Sequence, residues 1–96
     1  KRCEWIDPKV FYSTKGPIGP DGMAFDSSEN LYVAVYGTGK VEVLNMEGQP
    51  IDEIALPGSN PTNCALDPTE KLGMVVTEAE NGLLLSFGTD CITNKH

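Results

Sequence analysis

The side chains of this chain that are able to do chemistry are mostly oxygens. Its single histidine is His96, the last residue given, so no imidazole stands within the body of the chain to activate a Ser or Cys. That argues against a Ser-His-Asp or Cys-His nucleophile. Three cysteines, Cys3, Cys64 and Cys91, are an odd number without C-x-x-C spacing, so neither a zinc site nor a full disulfide framework follows. What remains is carboxylate, amide and hydroxyl chemistry. The first candidates are Asp21 in Pro20-Asp21-Gly22, and Thr62 and Asn63 in Pro61-Thr62-Asn63, which occupy equivalent places in two similar stretches. By local chemistry alone Pro20-Asp21-Gly22 is a turn, and Asn63 is of a type that commonly bonds its own backbone at a loop-to-strand junction.

The remaining acids divide by position. Asp26 and Asp67 follow an apolar strand at the same phase and are expected to cap turns at the end of that strand remote from Asp21. Glu78 and Glu80, with Asn81, are expected to be solvated acids unless their loop folds inward. Tyr36 ends its strand beside Gly37 and is the aromatic placed to border a ligand cleft, whereas Trp5, Phe11, Tyr12 and Tyr32 are expected in the core or between sheets. Gly37-Thr38-Gly39-Lys40 lacks the spacing and following helix of a phosphate loop, and is expected to be a hairpin turn.

The elements that must carry these residues follow from a repeat. Pro20-Asp21-Gly22-Met23-Ala24-Phe25-Asp26 returns as Pro61-Thr62-Asn63-Cys64-Ala65-Leu66-Asp67, 61 − 20 = 41 residues later. About 40 to 45 residues is the length of one four-stranded propeller blade. The same offset places Leu31 on Leu72, Val33 on Met74 and Val35 on Val76. Short apolar stretches alternate with turn clusters and no helical period is sustained, so the chain is expected to be all-β. It divides as one partial propeller domain over residues 1–96: an outer strand at 9–13, a complete blade at 20–56, a three-stranded blade at 61–87 and a polar tail at 88–96. Lys15 to Pro20 is expected to be a connection.

Two blades do not close a ring, and an open pair leaves strand edges and apolar faces in water. The expectation is self-association. If the strand at 9–13 of one copy completes the last blade of the next, the contact is head-to-tail and three copies give six blades. The other expectation is that the 96 residues are a piece of a longer propeller.

A net charge of −7 and a pI near 4.4 oppose binding to nucleic acid or anionic membrane. No apolar run reaches about 18 residues and no signal-type segment is present, so no membrane partner is expected. The cysteine usage favours a reduced, cytoplasmic setting. Cys64, between Asn63 and Ala65 in a strand pattern, is expected to be a small buried hydrophobe.

The stretch Gly19 to Asn45, G-P-D-G-M-A-F-D-S-S-E-N-L-Y-V-A-V-Y-G-T-G-K-V-E-V-L-N, resembles the later blades of the senescence marker protein-30/gluconolactonase family. Leu56 to Asp67 and Val75 to Ala79 are similar to it too. The resemblance implies a six-bladed propeller that binds a divalent metal, often calcium, at the mouth of its channel and hydrolyses sugar lactones or related esters. It implies that Asp21 is a metal ligand and catalytic residue. Asn63, at the position of Gly22, is a further candidate ligand, and Thr62 and Tyr36 are candidates for contact with a small-molecule substrate. The family's other ligands, a Glu and an Asn of earlier blades, have no matching motif here. The alternative is therefore an oligomeric, non-catalytic binding module derived from a propeller lactonase.

Overall fold

The computed structural model describes residues 8–89; Cys3, Trp5, Cys91, His96 and most of the 88–96 tail lie outside the described residues. Seven strands run in order: β1 Gly19–Phe25, β2 Leu31–Tyr36, β3 Lys40–Leu44, β4 Pro50–Ala55, β5 Pro61–Leu66, β6 Met74–Glu78 and β7 Leu83–Phe87. They form two antiparallel sheets, β1-β2-β3-β4 and β5-β6-β7. Among the described residues no helix is long and apolar enough to cross a membrane.

The nearly unbroken apolar run of β2 is explained by burial on both of its faces. Side chains alternate across a strand, so Tyr32 and Ala34 point one way with Val41 and Val43 of β3, against Cys64, Met74 and Val76 of the second sheet. Leu31, Val33 and Val35 point the other way with Leu44, where Tyr12 packs on them. The Phe87 ring lies 6.2 Å from that of Tyr32 and extends the contact to β7. Burying each of these larger side chains is worth about 1.5–3 kcal/mol, which makes the contact between sheets the main core of a small chain.

The two inner hairpins turn on capped aspartates. The Asp26 carboxylate accepts the N–H groups of Ser28 at 2.8 Å and Asn30 at 2.9 Å, and the Tyr32 hydroxyl donates to it at 2.9 Å. Asp67 accepts the N–H groups of Thr69 at 2.9 Å and Leu72 at 3.0 Å. Both turns place a glutamate in the left-handed region, Glu29 at φ 69° and Glu70 at φ 66°. They then differ. The first closes with Asp26 N–H donating to Asn30, and the second with Asp67 N–H donating to Gly73.

The second turn is thus two residues longer, which corrects the alignment beyond it. Met23 pairs with Val33 but Cys64 pairs with Val76, so the spacing is 76 − 33 = 43 in β6, not 41. Met74, not Leu72, stands where Leu31 stands. Leu72 is 57% exposed and outside any strand, while Met74 is fully buried.

Two further expectations are corrected. Residues 9–13 join neither sheet, because no strand within the described chain lies alongside to give them a ladder; Phe11 there is exposed. Gly19 and Pro20 belong to β1 rather than to the preceding connection. β1 is the edge of its sheet, where a strand proline leaves no ladder bond unmade. The longer turn gives a direct test: Met74→Ala should lower unfolding free energy by about 2–5 kcal/mol, and Leu72→Ala should stay within about 0.5 kcal/mol, in urea titrations followed by circular dichroism.

Candidate functional site

The inner strands β1 and β5 lie against each other, and each carries a bulge at its entry. In β1, Pro20 pairs with Val35 and Met23 with Val33, so Asp21 and Gly22 together oppose Ala34. In β5, Pro61 pairs with Glu78 and Asn63 with Thr77, which leaves Thr62 unpaired. A bulge adds a residue and re-aims the side chains around it. Pro20-Asp21-Gly22 is therefore a bulge inside a strand and not a turn; the same residue types serve both.

The bulges meet at Gly22. A Cβ on Gly22 would run into the Asn63 carboxamide and stand 2.7 Å from Asn63 Cα, so only glycine lets the two strands approach. Asp21 is thereby held one residue from the place where β1 touches Asn63. Its carboxylate is exposed and takes no hydrogen bond from the described residues. Asn63 is also exposed, and its Oδ1 accepts the Cys64 N–H at 2.9 Å, leaving one lone pair on that oxygen. Thr62 is committed elsewhere: its Oγ1 lies 2.6 Å from Thr77 Oγ1, facing β6. Tyr36 is half-buried at the end of β2 opposite Gly19, at the same rim as Asp21.

Backbone bonds lace this rim together. The segment joining the two sheets is tied to the β2–β3 turn by Leu56 N–H donating to Gly39 at 2.8 Å and Gly39 N–H donating to Ser59 at 3.0 Å. On its other side it is held by Glu78, which is buried rather than solvated. The Glu78 carboxylate accepts the N–H groups of Asn60 at 3.1 Å, Glu80 at 2.9 Å and Asn81 at 2.8 Å. Glu80 accepts Ser59 Oγ at 2.7 Å and Ser59 N–H at 2.8 Å. Sequence reasoning missed Glu78 as an organiser of the rim, although alternation with Met74 and Val76 puts it on the inward face of β6.

These bonds fix the protonation states. Burial pushes the Glu78 carboxyl up, but the N–H groups of Asn81, Asn60 and Glu80 outweigh it and hold the group below the ordinary glutamate value. The Ser59 hydroxyl and N–H hold Glu80 low as well. Burial raises the Cys64 thiol to about 11, which leaves it an inert, hydrophobic filler between the sheets.

As a cation site the rim of one chain is incomplete. Asp21 supplies one free carboxylate and Asn63 one shared amide oxygen, whereas calcium takes six to eight oxygens. Among the described residues no group of three or more His, Cys, Asp or Glu is arranged to hold a metal.

The lacing makes a pH prediction. Because the folded pKa of Glu78 lies below its unfolded value, its contribution is complete above the unfolded value and is lost as pH falls through the folded one. Thermal melts should therefore drop on acidification below about pH 4.5, and Glu78→Gln should make that drop shallower while lowering the melting temperature at pH 7. Gly22→Ala should cost about 1–3 kcal/mol by overpacking against Asn63, read in the same melts.

Comparison with known proteins follows the same outline. The family described as SMP-30/Gluconolactonase/LRE-like region matches residues 3–80. Lactonase drp35 of Staphylococcus saprophyticus is 53% identical over 47 residues, which is 49% of this chain and 14% of that protein. Lactonase drp35 of Staphylococcus haemolyticus is 51% identical over the same length and shares. Among solved structures, regucalcin of Agrobacterium tumefaciens, a calcium-binding protein, superposes with a TM-score of 0.65 at 27% identity over 75% of this chain and 25% of that one. The chain spans about a quarter or less of the length of these relatives. The two stacked sheets are thus part of a propeller, and the chain belongs to the SMP-30/gluconolactonase/LRE-like family.

Proposed function

We propose that this chain forms part of a lactonase that opens sugar lactones or related small esters with the help of a divalent cation, calcium first among the candidates. The observation that carries the reading is Asp21: a carboxylate with no hydrogen-bond partner among the described residues, held on a bulge at the rim where the inner strands converge. The buried carboxylates of Asp26 and Glu78 are occupied by backbone N–H groups; this one is left available. The relatives add that proteins with this stretch are lactonases or bind calcium.

A divalent cation at this rim would polarise a lactone carbonyl and acidify water, and Asp21 would serve as one of its ligands. Donors from further blades are needed to complete that shell, so activity belongs to an assembled propeller. Asp21 could also take the proton of an attacking water, while half-buried Tyr36 offers an aromatic face beside the same rim. Asn63 fixes the position of Asp21 through Gly22 and presents its free lone pair. Thr62, with its hydroxyl turned to Thr77, contributes to substrate contact only if that bond opens.

The absence of a three-group metal cluster among the described residues favours a second reading, a binding module without turnover. Lactone hydrolysis by the calcium-loaded protein separates the two. On the first reading Asp21→Asn lowers kcat/KM by about 10²–10⁴-fold, the usual worth of an acid–base group, with an unchanged melting temperature because Asp21 holds no hydrogen bond among the described residues. Lactone binding by calorimetry with no hydrolysis in the wild type would overturn the first reading in favour of the second.

A further inference from the structure

Strand β6 carries an acid where its counterpart carries a valine. Glu78 stands opposite Pro61 at the entry of β5 as Val35 stands opposite Pro20 at the entry of β1, 78 − 35 = 43 residues apart, the spacing that relates β6 to β2. Both side chains are buried. One inner strand is thus entered beside a packed valine, so the packing of such a sheet does not call for a carboxylate at this place. Withdrawing a charge from water is costly, and a well-packed apolar residue in its stead is often neutral or stabilising. What the acid adds is direction.

Three N–H groups converge on it, those of Asn60 at 3.1 Å, Glu80 at 2.9 Å and Asn81 at 2.8 Å. The Ala79 N–H donates to the Asn60 carbonyl at 2.8 Å, so Asn60 is gripped at both its N–H and its C=O. Asn60 leads directly into the bulge of β5. There Thr62 has no partner in the ladder, and its hydroxyl lies 2.6 Å from that of Thr77, the neighbour of Glu78. Asn63 pairs with Thr77 and lies against Gly22, where a Cβ would stand 2.7 Å from Asn63 Cα. Gly22 adjoins Asp21 in the matching bulge of β1. An unbroken set of contacts therefore runs from the Glu78 carboxylate through Asn60, the β5 bulge and Gly22 to Asp21. The bulges are its weakest links, because the ladder is locally disrupted there and other bonds must set the backbone.

We propose that Glu78 is a positioning residue for Asp21, acting through the β5 bulge. Its bonds fix where β5 begins, the bulge then presents Asn63 to Gly22 at one height, and Asp21 is set beside that contact. Glu78 itself is buried and needs no contact with a ligand. The consequence for turnover rests on the lactonase reading of Asp21; the coupling between the two carboxylates does not.

Glu78→Gln keeps the size of the side chain but turns one acceptor into a donor that faces N–H groups. Proton–nitrogen correlation spectra of the protein, recorded below every melt, read the Gly22 N–H and the Asn63 side-chain amide. Met74→Ala is the control, since it removes core at the other end of β6 and leaves the rim untouched. Both signals are expected to move in Glu78→Gln and to hold their wild-type positions in Met74→Ala. Gly58→Ala, which displaces the Glu78 carboxylate with its charge kept, is expected to move the same two signals and stands in should Glu78→Gln not fold. In lactone hydrolysis Glu78→Gln is expected to lower kcat/KM by about 10–10²-fold, the scale of a misplaced reacting group, while Met74→Ala leaves it unchanged. Signals that stay in place in Glu78→Gln and Gly58→Ala, or that move equally in Met74→Ala, overturn the proposal, as does an active enzyme indifferent to Glu78→Gln. A wild type that hydrolyses no lactone counts against the lactonase reading alone, and the two signals then decide the positioning role by themselves.

Discussion

The contact between the two sheets is the constraint from which the rest of the molecule follows. Strand β2 is buried on both faces, so the first sheet must be sandwiched, and Tyr32, Val41 and Val43 find Met74, Val76 and Phe87 on the second. A three-stranded sheet of this length would not persist in water with both faces open. Held against the first, it places β5 beside β1 and thereby brings two bulges to one rim. The chemistry of that rim is a consequence of packing several residues away.

The rim shows how backbone polarity is managed where a connection must pass from one sheet to the next. Residues 56–60 belong to no strand, and their N–H and C=O groups are met by Gly39 on one side and by Glu78, Ala79, Glu80 and Asn81 on the other. Glu78 is a buried acid with three N–H donors, which keeps it ionised without a cationic partner. Gly58 is part of the same fit, since a side chain there would collide with the Glu78 carboxylate. The acids of this region therefore differ in role. Glu78 and Glu80 hold backbone in place, whereas Asp21 holds none among the described residues.

Most of the fold was legible because a pleated strand writes its faces into the sequence with a period of two. That same period hid the main error. The insertion of Lys71 and Leu72 after Glu70 shifts β6 by two residues, and a shift of two returns every side chain to the same face, so Leu72 and Met74 fit the pattern equally well. Only the turn, where Asp67 bonds Gly73 as Asp26 bonds Asn30, distinguishes them. The bulges were illegible for a related reason: Pro, Asp and Gly are shared by turns and bulges, and the choice is made by Asn63 lying against Gly22 from another sheet. The repeat placed Asp21 and Asn63 on neighbouring inner strands, but Thr62 was read without its partner Thr77, which no spacing in the sequence brings to it.

The segment before β1 shows that a chain can be held in place without a ladder. Strand β3 pairs Glu42 with Glu53 of β4, two like charges directly opposite, which is unfavourable in a sheet. The segment relieves this: Lys15 Nζ lies 3.1 Å from Glu53, beside Lys40 Nζ at the same distance, and the Lys15 N–H approaches Glu42 at 3.4 Å. A hydrogen bond to Glu42 also raises the pKa of Tyr12, so the tyrosine remains a donor across the working pH range. Glu42 is only 2% exposed, and its Oε1 has no hydrogen-bond partner among the described residues. A half-satisfied buried carboxylate costs about 1–3 kcal/mol or more, so every donor that reaches it is strongly retained. Tyr12 and Lys15 are thus anchored by the carboxylates of the first sheet, which hold the segment before β1 against that sheet although it forms no strand.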